Sequence, residues 1–228
     1  MTKQERAART RDALLLAAAR EFQRHGHDRA KLSAISSEAG VSSGALHFHF
    51  ENKAALAEAL RTEASHALRR AARLARRRRT SALQTLVDVS HALADVLRRS
   101  IVVRAGFLLS CEGAHGTDLN LRHEWQVCVQ QLLAEAADER MLVPEARQQH
   151  LTGALVASTI GYEVLSRTDP EWLSGFTVTG FWEVLLPTLV APETLTHLRP
   201  AGTDAAHQAS NAAVRTGFVP APAGPVAP

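Results

Sequence analysis

Leu14, Ala18 and Phe22 recur every four residues near the start of the chain, with Leu15 and Ala17 beside them. That spacing is the apolar stripe of an amphipathic helix and predicts one over residues 5–25. Gly26 is placed to end it with the positive φ that glycine tolerates. A short second helix follows with Leu32, Ile35 and Ala39 inward; its cap is open between Asp28 and a start at Ser33. Past the turn Ala39-Gly40-Val41, a third set (Val41, Leu46, Phe50) packs another short helix onto the first. Asn52 caps a long fourth helix, whose apolar face runs through Leu56, Leu60, Ala64, Ala67, Ala71 and Leu74 to about Arg76.

Further helices are predicted over 81–99, 101–111, 119–137, 144–167 and 176–190, with a short last turn over 192–198. Gly113 and Gly116 mark a loop, Pro144 stands at a permitted first helical position, Asp169-Pro170 breaks the chain, and Pro187 can bend its helix. β-Branched runs are scarce while Ala, Leu and Arg dominate, which favours helix over sheet. The fold class is therefore all-α, with nine or ten helices. Residues 1–53 form a three-helix head and 54–198 a larger helical body. From Arg199 the composition shifts to Ala, Pro, Gly and Thr, so 199–228 reads as a disordered tail.

A chain of 228 residues with 46% hydrophobic content can bury a substantial core. No stretch reaches the ~20 apolar residues a membrane span requires, and the first apolar run is short and flanked by charge, unlike a signal peptide. A cytoplasmic protein without membrane contact is expected. Charge is segregated: residues 1–79 hold 17 basic and 8 acidic side chains, the remainder 9 and 15, giving the total of +3. A basic N-terminal third joined to an acidic remainder suits a nucleic-acid-binding module on a non-binding body. The run 76–79 reads as a solvated cluster at a helix end, some 35 Å from Lys53 at ~1.5 Å per residue.

Catalysis has little support. No GxSxG, HExxH, P-loop or GxGxxG stands in a suitable context, so neither an enzyme nor a cofactor is expected. Cys111, Cys128, His115 and His123 lack the spacing of metal ligands and read as buried thiols and surface histidines. His47 and His49, two apart on a helix, face different sides.

The third helix carries the chemistry. Its start, Ser42-Ser43-Gly44-Ala45, consists of small residues, which let backbone approach phosphates and base edges in a major groove. Ser42 can cap that helix and leave its positive end free to face a phosphate. The whole segment 31–53 thus reads as a helix-turn-helix. Phe48 and Phe50 read more readily as core than as contact, although Phe48 also joins the DNA-facing set. Arg6, Arg9 and Arg11 can reach phosphates from an N-terminal arm. A single helix-turn-helix makes too few contacts for operator specificity, so a dimer is expected on double-stranded, near-palindromic DNA.

GVSSGALHFHFENKAAL resembles the DNA-binding signature of the TetR-type repressors, and GALxFHF especially that of their γ-butyrolactone-receptor subgroup. IVVRAG at 101–106, Glu124-Trp125, 153–167 and FWEVLLP at 181–187 resemble later parts of that subgroup, so the likeness runs over about residues 5–190. It implies that Lys53 grips a phosphate and that His47 stands where the family usually has a phosphate-binding Tyr. With Lys31 and Arg6 these complete the DNA contact set. Ser43 replaces a common Lys, and most relatives have Ser or Thr where Ala30 and Lys31 stand.

The likeness also implies a pocket inside the body for a small lipophilic effector. Trp125 is the first candidate for its wall; Val102, Phe107, Leu108, Val127, Tyr162 and Trp182 are further ones. Leu108 replaces an Arg of the true receptors, so an antibiotic or pathway intermediate stands beside a butyrolactone as effector. The helices 144–167 and 176–190 are implied as the homodimer interface. The resulting expectation is a ligand-released regulator of secondary metabolism. The alternative is a TetR-type regulator of drug efflux or another pathway.

Overall fold

In a computed structural model, residues 2–76, 80–111 and 120–216 are described. Among them eleven α-helices and one 3-10 turn occur and no strand. The head comprises α1 (Lys3–Arg29), α2 (Leu32–Glu38) and α3 (Ser43–His49). A capping box opens α1, with Thr2 accepting from the Glu5 N–H and the Glu5 carboxylate accepting from Thr2. Gly26, at φ 74°, leaves helical geometry inside the last turns of α1 and redirects the chain towards α2.

Neither expected cap of α2 is used. Lys31 stands at the N-cap without a side-chain bond, and its N–H donates to Glu21 Oε1 at 3.2 Å. A buried glutamate from α1 thus takes the N-cap N–H, as the glutamate of a capping box does, and no side chain caps the first turn of α2.

The body contains α4 (Lys53–Ala75), α5 (Ala82–Arg99), α6 (Ile101–Cys111), α7 (Leu121–Asp138), α8 (Gln148–Ser166), α9 (Gly175–Leu189), α10 (Pro192–Leu195) and α11 (Asp204–Thr216). Asn52, Ser81, Asn120 and Ser174 cap α4, α5, α7 and α9 through their side chains. Two differences from the sequence pattern stand out. Helix α8 opens after Arg147, one turn later than Pro144 predicts, because the Val143 N–H is held by Leu189 O at 2.8 Å and the chain turns before it can coil. Helix α9 runs on through Pro187.

The expected disorder from Arg199 is corrected over its described part. Asp204–Thr216 is a helix packed on α4 and α5, with Ala205, Ala206, Ala209 and Ala213 buried. Composition misled because alanines one turn apart make a flat face that packs closely on another helix. A turn docks this element: Asp88, fully buried on α5, accepts from Gln84 Nε2 at 3.2 Å and from Thr203 N and Oγ1, each at 2.7 Å. His91 Nε2 donates to Pro200 O at 2.8 Å. Residues 217–228 and the loop glycines Gly113 and Gly116 lie outside the described residues.

Two cores meet along α4 and α6. The head core gathers Leu14, Phe22, Ile35, Leu46 and Phe50 with Leu56 and Leu60 of α4 and Val102, Ala105 and Leu109 of α6. The body core takes Ala64 onward from α4, Val103 and Phe107 from α6, and the inner faces of the later helices. Helix α6 therefore wedges into both. It can do so because of Gly106: a Cβ there would lie 2.7 Å from the Leu60 carbonyl carbon and 2.8 Å from Ala64 Cβ. Among the described residues no helix is long and apolar enough to cross a membrane.

Candidate nucleic-acid interface and ligand chamber

Gly40, at φ 68°, makes the turn between α2 and α3, and Ser42 Oγ accepts from the Ala45 N–H at 3.1 Å, closing the first turn of α3. Leu46, buried in the head core, pins the helix from below. The other side stands free: Ser42, Ser43, Gly44, His47 and Phe48 are exposed and Ala45 is half-buried. The expectation that Phe48 is core is corrected, since it is 81% exposed; Phe50, at 5%, is core as expected. Phe48 lies on the outer side of the last turn of α3, whereas Phe50, the extended residue that ends the helix, is turned inward. Phe48 packs edge-on against His49, with ring centroids 5.2 Å apart.

His47 Nδ1 lies 3.3 Å from Glu51 O, which fixes the ring and leaves Nε2 at the surface. Lys53 Nζ donates to the carbonyls of Asp28 (2.8 Å) and Ala30 (3.3 Å), tying the start of α4 to the end of α1. An ammonium has three protons, so one stays available to an anion. Lys31 and Arg6 are exposed. Arg6, Arg9 and Arg11 sit on α1 rather than on a separate arm. Arg11 pairs with Glu63 at 3.4 Å and lies over the Phe50 ring, which turns it towards the protein. Of the basic run 76–79, Arg76 pairs with Glu135 at 3.2 Å and the rest lies outside the described residues.

Trp125, 6% exposed, stands on α7, and its Nε1 donates to Thr159 Oγ1 on α8 at 3.1 Å. Its ring lines a cavity of about 310 Å³ between α4, α5 and α7, walled largely by Leu68, Ala72, Leu93, Leu121 and Val127. Cys128 also lines it; burial pushes that thiol up from its ordinary range, so it stays protonated and adds a neutral sulfur. The polar groups on the wall are few, among them Glu124 and Arg69. Arg69 Nε and Nη2 donate to the two Glu124 carboxylate oxygens at 2.9 and 2.7 Å, and the bond and charge of Glu124 raise the Arg69 pKa. Ser65 Oγ, 3.3 Å from both oxygens, completes the link between α7 and α4.

Of the pocket residues expected from sequence, Trp125 and Val127 are brought together here. Tyr162 and Trp182 line a narrow separate slot with Phe181. Phe107 is packed in the body core, Leu108 lines none of these spaces, and Val102 faces a second cavity between head and body. Sequence reasoning missed Leu68 and the pairing of Arg69 with Glu124. Glu124 does directly precede Trp125, but nothing local announces a partner 55 residues away. No group of three or more metal-ligating side chains comes together among the described residues, and His115 lies outside them.

On the other side of the body, α8, the 3-10 turn Pro170–Leu173 and α9 expose large apolar side chains. Val164, Leu165, Trp172 and Val184 are at least 38% exposed, and Phe176 reaches 89%. Tyr162 stacks on Trp172 and meets Phe181 edge-on, so aromatic packing continues from the interior to this face.

Residues 14–60 match the model of the bacterial regulatory proteins of the tetR family. The A-factor receptor protein of Streptomyces griseus is 32% identical over 218 residues, spanning 94% of this chain and 76% of that protein. A crystal structure of a γ-butyrolactone receptor (ArpA-like protein) superposes with a TM-score of 0.76 at 28% identity, covering 91% of this chain and 99% of the other. CprB of Streptomyces coelicolor, solved in complex with its biological operator sequence, superposes with a TM-score of 0.73 at 27% identity, covering 93% and 98%.

Proposed function

The chain belongs to the TetR family of bacterial regulatory proteins, among the relatives of the A-factor and γ-butyrolactone receptors, and from that premise we propose that it is a ligand-released, operator-binding repressor of secondary metabolism. It is a transcriptional regulator and not an enzyme. The observation that carries the finer reading is the exposed tip of α3, where small residues are held in helical register by the Ser42 cap. That tip enters a major groove. Ser43, Gly44 and Ala45 approach base edges, His47, Lys53 and Lys31 approach phosphates, Arg6 lies on α1 for the flanking backbone, and Phe48 covers a sugar or thymine methyl.

The molecule acts as a homodimer through α8 and α9, whose exposed apolar side chains support that face as the interface. Two recognition helices then reach half-sites about 34–36 Å apart on one side of the duplex. The Trp125 chamber takes the effector. Its volume of about 310 Å³ is at the small end of ligand sites and its wall is mostly apolar, which suits a compact lipophilic molecule such as a lactone or a pathway intermediate.

Release follows from a shift of population. The chamber is walled by α4, whose first turn carries Lys53 beside the recognition helix. A ligand preferring the chamber with the Arg69–Glu124 link rearranged draws α4 towards a geometry in which the two heads no longer match the operator. Coupling of ~1–3 kcal/mol weakens DNA binding ~5–150-fold.

Genomic footprinting with the purified protein, followed by release with γ-butyrolactones and with pathway antibiotics, tests this reading. Near-palindromic footprints released by either class support it. Footprints confined to efflux genes and released by unrelated drugs would replace it with the efflux alternative.

A further inference from the structure

Between head and body lies a second cavity, of about 630 Å³, which neither DNA contact nor the Trp125 chamber uses. Helix α1 gives it Asp12 and Leu15, and α4 a row of Glu63, His66, Arg70 and Arg73 along one face. These four lie at i, i+3, i+7 and i+10, the spacing that stacks side chains on successive turns. Val102 and Val103 on α6 and Ala213 on α11 give it apolar walls. It is therefore unlike the chamber in chemistry, being polar and ionic on the α4 side.

The charges do not cancel locally. Glu63 is engaged by Arg11 and Arg69 by Glu124. Neither Arg70 nor Arg73 forms an ion pair among the described residues, and Arg70 Nε is buried with no hydrogen-bond partner. A guanidinium edge withdrawn from water and left unbonded is costly, and a small rotation of the Arg70 side chain that brings this edge to a planar oxyanion in the cavity restores its bonds. At the other end Asp12 and Glu63 lie close enough to repel. Burial first, then Glu63, pushes the Asp12 carboxyl up, against the pull of Arg11. Glu63 and Arg70 are seven residues apart, about 10 Å along the helix at ~1.5 Å per residue.

We infer that this cavity is a second ligand site, taking a small organic oxyanion, a carboxylate or a phosphate monoester. Its charged end lies against Arg70 and Arg73. Its apolar middle rests on Leu15, Val102 and Val103, and a hydroxyl or amine at its far end meets Asp12 and Glu63. Such a ligand touches α1 of the head together with α6 and α11 of the body, so its binding is linked to their relative placement, and by reciprocity to DNA affinity. Arg69 lines both this cavity and the Trp125 chamber, so the two ligands share a wall. The inference concerns binding alone and stands or falls separately from the operator reading.

Titration of the full-length ¹⁵N-labelled protein with phenyl phosphate and with benzoate, at constant ionic strength, tests it. The Arg70 Nε–H resonance, assigned by its loss in Arg70→Lys, is the readout. Saturable movement with either probe supports the site, and the probe that binds more tightly identifies phosphate or carboxylate as the preferred group. Arg73→Gln, at the exposed mouth, is expected to weaken that binding tenfold or more, with its fold checked by circular dichroism. No saturable movement with either probe at tens of millimolar would overturn the inference. So would movement matched by chloride, or retained in full in Arg73→Gln.

Discussion

Gly106 and Gly44 are both glycines inside helices, and their neighbours give them opposite meanings. At Gly106 a side chain would enter the backbone of Leu60, so Gly106→Ala forces α6 away from α4 where the two cores join. Overpacking of this kind costs ~1–3 kcal/mol or more, and in a chain of this size ~1 kcal/mol is worth ~2–4 °C. A fall of at least ~2 °C is expected in a thermal melt. The IVVRAG segment was legible only as a family likeness; the reason for its glycine is a contact 46 residues away in sequence, which no local pattern encodes. The α3 tip was legible, because small residues beside Ser42 break an otherwise amphipathic pattern. Phe48 was misjudged as core because hydrophobicity alone does not say which of two neighbouring phenylalanines faces in.

At the scale of elements, periodicity located the main helices, while their ends and the last helix followed from partners distant in sequence. Helix α8 starts late because Leu189 O holds Val143, and α2 opens without a side-chain cap, its N-cap N–H taken by Glu21. Helix α11 was invisible to composition. What docks it is a buried carboxylate, Asp88, meeting Thr203 from 115 residues away. His91, in the same joint, has its pKa lowered by burial first, with the bond to Pro200 and the charge of Asp88 opposing and His207 adding. For a base with a depressed folded pKa, the unfolded chain takes up the proton first. Stability from this site is thus full above the unfolded value of ~6.5 and is lost as pH falls through it towards the folded value. Between pH 7 and 5 the wild-type melting temperature is expected to fall more than that of His91→Gln, in which the amide can still donate to Pro200 O.

At the scale of the whole molecule, the basic N-terminal third and the acidic remainder were legible from charge counting. The apolar face of α8 and α9 could not be separated from core by sequence, because both read as hydrophobic helices. Phe176 and Val184 are largely exposed in one chain, so Phe176→Glu with Val184→Glu costs the monomer little. In a dimer it buries two charges per subunit without partners. Light scattering is expected to find a monomer for this variant. Its DNA affinity is expected to fall by at least tenfold as the second half-site is lost. The account rests on the α3 tip as the surface that meets DNA, and Gly44→Glu tests it most directly. A Cβ at Gly44 would meet only Ser42 Oγ, at 3.9 Å, so the fold tolerates the change while a carboxylate enters the proposed groove contact. Fluorescence anisotropy on a footprinted operator duplex is expected to give a Kd at least roughly a hundredfold weaker than wild type, about 2.8 kcal/mol at ~1.4 per decade, with the melting temperature unchanged. An unchanged Kd in that folded variant would contradict the account.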